Sequence, residues 1–416
     1  MSPHTLGDMA AKIQRLSESV VIRSLRSFRD TYLTNSGAAV SGAGTAGGDP
    51  GEEEEHPGLL DSLPVDLQFL IMTLLSPADI CRLGATSGYW RDLVRDQILW
   101  RYFLLRDMPY WSSIDHLTMP QLEMLNAPVI NEDESLVEGE DEGMESKCDY
   151  MSEYLRACPS CRHQWLPSRP AYERLTSFLQ SLVPSSEPRY AMFGPGMEQL
   201  DVSLVTRLML APDVLPVSGT PHRQINGIGS GISYMFNNQH RFNILTLYST
   251  NRAERERARV QRQSIGNKLF TIDGTDESGC PSYSPTPQVQ QVCQAVDGFI
   301  YVANAEPGRD GGSSEVAQIQ AVLSPARGST SRPLLVLSCV SREDPEAIGA
   351  TSQRSSAHRN TARRRTPCVE MAKRLRLHQV ANPWMVQDTV AESLSGLLDG
   401  ISWLLRCSGV KLSGSS

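Results

Sequence analysis

The sequence is short of three things, and each shortage narrows what the chain can be. It has no apolar run near the ~20 residues that a membrane-spanning helix needs, and its first residues, MSPHTLGDMA, lack the basic-then-apolar order of a secretory signal. It has no excess of positive charge: 39 Lys and Arg stand against 47 Asp and Glu, a net charge of −8. Phosphate binding needs concentrated cations, so a general nucleic-acid binder is disfavoured. Cysteine is sparse as well. The 9 residues are odd in number and scattered in contexts such as LVLSCV, which reads as free thiols in a reducing compartment. The expectation is a cytoplasmic protein, with the nucleus as a second compartment, that takes neither membrane nor nucleic acid as partner.

A length of 416 residues predicts two or three domains. Residues 1–33 carry a helical pattern, with Met9, Ile13, Leu16 and Val20 on one stripe and Val21, Leu25, Phe28 and Tyr32 on a shifted one. This helix is apolar enough to be a self-association seam, or to dock on the rest of the chain. Residues 34–57 turn Gly/Ala/Ser-rich and then acidic, the composition of a flexible linker. Residues 58–105 are compact and helical. A helical linker is expected over 106–183, broken by the acidic segment 131–146, which has too few apolar residues to fold alone.

From residue 186 to 410 the texture is α/β. RYAMF (189–193) precedes a helix near 197–210, and GISYMFN (231–237) and FNILTLY (242–248) are close enough to pair as a hairpin. A helix is expected over 253–270. GFIYVANA (298–305) and PLLVLSCV (333–340) are unbroken apolar runs, as strands buried on both faces are. PWMVQ (383–387) precedes an amphipathic helix at 390–405. This order predicts a mostly parallel sheet with helices on it, interrupted by a polar, disordered insertion at 341–365.

Residues 59–83, LLDSLPVDLQFLIMTLLSPADICRL, are the greasiest part of the chain and sit beside the solvated loop GEEEEHPG. Pro64 suits a first helical turn, where its missing N–H is no loss. Leu63, Leu67, Ile71 and Leu74 recur at three- and four-residue steps on one face, while Phe69, Leu70 and Met72 make the helix apolar nearly all round. Ser76-Pro77 is a start signal for a second helix, with Ile80 and Leu83 facing one way, and Ser87 can cap a third. Trp90, Leu93 and Val94 make its inward stripe, followed by Ile98, Leu99, Trp100, Tyr102 and Phe103. A bundle of this size has little interior, and each buried Leu or Ile is worth about 1.5–3 kcal/mol. Either the α/β domain or a partner protein is expected to cover the excess.

Leu63-Pro64 with Leu67, Ile71 and Leu74, then SPADICRL, then Trp90 and DQILWRYFLLRD, closely resemble an F-box. Asp66 stands where Glu is usual in that family, and Ala85-Thr86 replace the common Val-Cys. The segments DQILWRYFLLRDMPYWSS (96–113), YAMFGPGMEQL (190–200), INGIGSGISYMFNNQHRFNILTLYST (225–250), VDGFIYVANAE (296–306) and NPWMVQDTVAESLSGLLDGISWLL (382–405) extend the likeness to F-box proteins with a small-GTPase-like C-terminal domain. The resemblance implies α plus α/β architecture. A three-helix F-box inserts into the Skp adaptor of a Skp–cullin–F-box ubiquitin ligase, and a small-GTPase-like domain with a mostly parallel sheet holds the target. Leu63, Pro64, Leu67, Ile71, Leu74, Pro77, Ile80, Leu83, Trp90, Leu93 and Trp100 would form the adaptor-binding module, packed in its own core or against the adaptor. Implied partners are the Skp adaptor, the cullin scaffold and, as targets, a D-type cyclin or a telomeric repeat-binding factor. Self-association through the N-terminal helix would fit the family.

Residue by residue, the chemistry of a nucleotide hydrolase is missing. The loop after the first strand is GPGMEQLDVS, and the second Gly, the Lys and the Ser/Thr of a phosphate loop would fall at Gln199, Leu200 and Asp201. Ser338-Cys339-Val340-Ser341 stands where a guanine-reading Asn-Lys-x-Asp would be. GIGSG (227–231) lies before a strand and reads as a turn. Cys158 and Cys161 with His163 give half a zinc spacing without a second pair, and His222 and His240 have no ligating neighbours in sequence. The basic run RNTARRRTPC (359–368) reads as a solvated loop, with an importin site or a kinase site at Thr366 as alternatives. NRAERERARVQR (251–262) interleaves charges like a solvent-facing helix. No catalytic residue, cofactor or metal is expected, and catalysis would be by proximity.

Overall fold

The computed structural model describes residues 60–121, 149–162, 187–219, 230–247, 269–275, 281–308, 312–324, 332–343, 365–410 and Leu412. The expectations for 1–33, 34–57 and 131–146, for residues 163–183 of the linker, and for most of 341–365 lie outside these residues, as does the helix expected over 253–270 except at its end, where Phe270 begins a strand instead. Two compact units are formed, one from residues within 1–108 and 120–156, the other from residues within 109–119 and 157–416.

The first unit is helical: α1 (Val65–Leu74), α2 (Pro77–Gly84), α3 (Gly88–Val94), α4 (Gln97–Asp107) and α5 (Tyr150–Ala157). Its starts are written in the local sequence. Ser76 Oγ accepts from the Asp79 N–H and Ser87 Oγ from the Trp90 N–H, which satisfies donors that a helix start leaves open. Pro64 lies one position earlier than expected, as the residue before α1. The expected third helix is two, because Asp96 ends one and begins the next, its carboxylate accepting from the N–H groups of Ile98 and Leu99 at 2.8 and 3.0 Å. Burial pushes that carboxyl up, against the opposing pull of the Leu99 and Ile98 N–H groups.

The second unit is an α/β domain. Its elements are β1 (Ser113–Asp115), α6 (Pro159–Arg162), β2 (Arg189–Phe193), α7 (Gly196–Gln199), α8 (Leu204–Leu210), β3 (Val217–Gly219), β4 (Ser230–Phe236), β5 (His240–Thr246), β6 (Phe270–Thr275), β7 (Pro281–Pro285), α9 (Pro287–Ala295), β8 (Gly298–Asn304), α10 (Gly312–Leu323), β9 (Leu334–Val340), α11 (Cys368–Arg374), β10 (Trp384–Val390) and α12 (Leu397–Cys407). Eight strands form one sheet in the order β1-β10-β9-β8-β2-β5-β4-β3, and β6 and β7 pair separately. The central pairs are parallel and the pairs toward both edges antiparallel. Every residue of β8 is buried, as are nearly all of β9, which is why these strands read as continuous apolar runs. One face of the sheet, with Tyr190, Met192, Ile300, Val302, Leu335 and Leu337, packs with Met197, Leu204, Leu208, Ile401 and Leu404.

The expected strands at 189–193, 298–305 and 333–340 are present, and so is the hairpin, which pairs Ser230↔Thr246 through Phe236↔His240. Three expectations need correction. The helix near 197–210 is broken at Leu200–Ser203, because Leu200 leaves the helix to enter the core and Ser203 caps α8. The last helix begins at Leu397, not 390: β10 runs on to Val390, and a turn with Leu394 and Gly396 in the left-handed region follows. The region read as linker after residue 105 supplies β1, an edge strand of the large sheet paired as Ile114↔Val386. The edge strand β3 and the β6–β7 pair had no expectation, being short and rich in turn-forming residues.

Candidate functional site

Helix α1 has more apolar side chains than its unit can enclose. Phe69 and Met72 are buried, with Gln68 and Thr73 beside them. On the opposite side Leu67 is 46%, Leu70 49% and Leu74 79% exposed, and Ile71 is half-buried. Positions 67, 70, 71 and 74 lie along one stripe of a 3.6-residue helix, spanning about 10 Å at 1.5 Å per residue.

Both ends of the stripe are pinned by polar side chains. At the start, Gln68 Nε2 donates to the carbonyls of Leu60, Asp61 and Leu63 at 3.1, 3.3 and 3.1 Å, and Tyr89 Oη donates to Gln68 Oε1. Trp90 Nε1 donates to the Asp61 carboxylate. These bonds wrap residues 60–63 onto the bundle and set Leu63 and Pro64 in front of α1. At the other end, Arg106 Nη1 donates to the carbonyls of Thr73 and Leu75 at 2.9 and 3.4 Å. A cation on the last carbonyls of a helix is favourable both as hydrogen bond and as charge on the helix dipole.

The structure divides the residues expected to make the module. Ile80, Trp90, Leu93 and Trp100 are interior, each 4% exposed or less. Trp100 Nε1 donates to the Val94 carbonyl at 2.6 Å, and its ring meets Phe103 and Tyr154 at centroid distances of 5.7 and 5.5 Å. These four build the bundle. Pro64, Leu67 and Leu74 are exposed, and Leu63, Ile71, Pro77 and Leu83 half-buried. They, with Leu70, are free to meet a partner. The sequence reading left Leu70 out of the set, although its place three residues after Leu67 and four before Leu74 put it on the same face. Exposed Tyr89 was missed too, since its role comes from its bond to Gln68, 21 positions away.

In the α/β unit, the crevice that open parallel sheets use for ligands lies at the carboxyl end of β2, where the chain's strand order reverses. The loop that follows β2 there is held against β8. Gly194 has φ +126° and lies against β8, so close that a β-carbon on it would sit 2.5 Å from the Val302 carbonyl oxygen. Met197 of α7 and Leu200, which follows that helix, are in the core. The polar groups around it bond to one another: Asn304 to Gln199 at 3.2 Å, Ser341 Oγ to Glu306, and the Asp201 N–H to Ser341 Oγ at 3.1 Å. Gly231 belongs to β4, while 227–229 lie outside the described residues. Cys158 is buried, its sulfur 3.1 Å from Ser160 Oγ, and His163 and His222 are outside the described residues. Among the described residues no three metal-ligating side chains cluster, and no helix is long and apolar enough to cross a membrane.

The F-box-like family pattern matches residues 60–106, the span of α1 to α4. This match makes the first unit an F-box-like module. Over 358 residues the chain is also 48% identical to F-box only protein 4 of Bos taurus, covering 85% of each sequence. Its identity to F-box only protein 4 of Mus musculus is 48%, covering 85% of this chain and 86% of the relative, and to that of Homo sapiens 47%, covering 85% of each. The chain belongs to the F-box only protein 4 family.

Proposed function

We propose that this chain is the substrate receptor of a Skp–cullin–F-box ubiquitin ligase, which binds the Skp adaptor through its first unit and a target protein through its second. The observation that carries the reading is the exposed stripe Leu67, Leu70 and Leu74 in a bundle whose other large apolar side chains, Tyr89 excepted, are buried or half-buried. A contiguous aliphatic face of this kind is the mark of a protein partner. The receptor contributes no reacting group. It raises the local concentration of target lysines beside the conjugating enzyme, and ubiquitination and degradation of the target follow from proximity.

The second unit is read as a small-GTPase-like domain used for binding. Numbered from Arg189 and leaving out the short β3 and the separate β6–β7 pair, its strands run across the sheet as 2-3-1-4-5-6, with β4 antiparallel. That order supports the fold, and the packed Gly194 loop supports its use without nucleotide chemistry. A target would add a strand at the β3 edge, where Val217 is 43% exposed, or lay a helix in a groove. The β1 edge is a poorer candidate, because all three of its residues are buried. By family resemblance a D-type cyclin or a telomeric repeat-binding factor is the target to try first.

The test is capture of adaptor and cullin by the full chain and by a Leu67→Ala/Leu74→Ala double variant. The wild type is expected to retain both proteins and the variant neither, with unchanged circular dichroism. Adaptor without cullin would favour a scaffold outside the ligase. A folded wild-type chain that retains neither would overturn the reading.

A further inference from the structure

Helix α5 lies some forty residues beyond α4 in sequence and outside the span that matches the F-box-like family, yet it packs in the same unit. Its first N–H, from Tyr150, donates to Gln97 Oε1 at 2.7 Å. Tyr154, 3% exposed, lies beside Trp100, and its hydroxyl donates to Asp107 Oδ2 at 2.8 Å. Asp107 in turn takes two bonds from the guanidinium of Arg106, from Nε at 2.6 Å and from Nη2 at 2.9 Å. The remaining nitrogen, Nη1, holds the carbonyls of Thr73 and Leu75. The guanidinium sits 4.6 Å over the Phe103 ring and 5.7 Å from that of Tyr102. All three nitrogens of the guanidinium are thus engaged, and Nη1 ends on the carbonyls of the residues on either side of Leu74.

We propose that Tyr154, Asp107 and Arg106 form a positioning relay through which α5 fixes the turn Leu74–Pro77 in the shape that the Skp adaptor binds. The proposal deepens the receptor reading and rests on it. Leu74 is 79% exposed, so no packing holds its direction. That direction comes from the backbone at residues 73–75, where Leu75 leaves the helix at φ −79° and ψ 162°. Arg106 is the group that holds this backbone from the bundle side. A planar guanidinium can keep a bidentate carboxylate and two carbonyls at once, whereas an ammonium cannot match that fork. Asp107 fixes the plane of the guanidinium, and the Tyr154 hydroxyl fixes Asp107. The adaptor surface of this chain therefore includes a dependence on a helix that the F-box motif does not contain.

The experiment measures the dissociation constant of purified Skp adaptor for the full chain and for Tyr154→Phe, Asp107→Asn, Arg106→Lys and the Tyr154→Phe/Asp107→Asn double variant. Hydrogen exchange at residues 73–76 is followed in parallel. Tyr154→Phe keeps the ring against Trp100 and removes only the hydroxyl, so it isolates the relay from packing. Leu99→Ala, at a buried side chain of α4 away from Arg106, serves as a core control of reduced stability. The relay predicts adaptor binding about three- to tenfold weaker in each single relay variant. It also predicts a double variant no weaker than Asp107→Asn alone, faster exchange confined to the turn, and near-wild-type affinity in the control. Wild-type affinity in Tyr154→Phe and Arg106→Lys, additive losses, or an equal loss in the control would overturn the relay while leaving the receptor reading intact. A folded wild-type chain that does not bind the adaptor would overturn both.

Discussion

Gly396 approaches Asp388 so closely that a β-carbon on it would lie 2.0 Å from the Asp388 carbonyl oxygen. The same residue has φ +77°, a conformation in which other residues are strained. It is the last residue before α12 and lets the chain leave β10, turn, and bring Ile401 and Leu404 back onto the sheet. Gly396→Ala combines left-handed strain with overlap against a backbone atom. It is expected to destabilise the α/β unit by at least about 2 kcal/mol, read as a lower urea midpoint with unchanged slope. Wild-type stability would mean that the turn relaxes without loss.

The adaptor module should separate binding from folding. Leu74 is already in water, so Leu74→Ala is expected to change stability by less than about 0.5 kcal/mol while weakening adaptor capture. Trp100 fills the interior, and Trp100→Ala is expected to cost about 3–5 kcal/mol and to lose binding through unfolding. Denaturation and capture on the same preparations distinguish the two. Equal losses of stability would contradict the division of the module into a face and a core.

Asp388 gives the α/β unit a pH dependence. Burial lifts its carboxyl from 3.8 to about 6, against the pull of the Arg365 guanidinium 2.7 Å away and of the Cys368 thiol. The folded chain therefore holds a proton that the unfolded chain has released between roughly pH 4 and pH 6. The stability due to this group is complete below the unfolded value and lost as pH rises through about 6. Asp388→Asn should flatten that part of the stability profile, measured by urea denaturation at steps from pH 4.5 to 7.5. An unchanged slope would assign the dependence to other groups.

Nucleotide should leave the protein unmoved. A ligand present at 100 times its dissociation constant adds roughly 2.7 kcal/mol to stability. Melting with and without millimolar GTP and magnesium is expected to give the same midpoint, because the loop after β2 carries Gln199, Leu200 and Asp201 where a phosphate loop needs its Gly, Lys and Ser/Thr. A rise in the midpoint would reopen the case for a nucleotide switch.

The sequence by itself determined whatever neighbours in the chain could specify. Ser76 and Ser87 announce their helices because each cap bonds to an N–H three residues on. The runs at 298–305 and 334–340 announce buried strands because both faces need apolar side chains. The leucines of α1 announce a helix with more apolar surface than a small bundle can hide, and the spacing with Pro64, Pro77 and Trp90 led to the F-box. Helix α12 was placed seven residues early because the turn at Gly396 is favoured only by its approach to Asp388, and β1 went unseen because three residues carry no period. Tertiary structure alone decided which leucines of α1 face water, since an apolar helix looks alike from every side until the other helices cover part of it. It alone joined Arg106 to Thr73 and Tyr154 to Asp107, bonds that cross 33 and 47 positions. Polar side chains give no periodic signal of a distant partner, so such contacts exist only once the fold has brought them within reach.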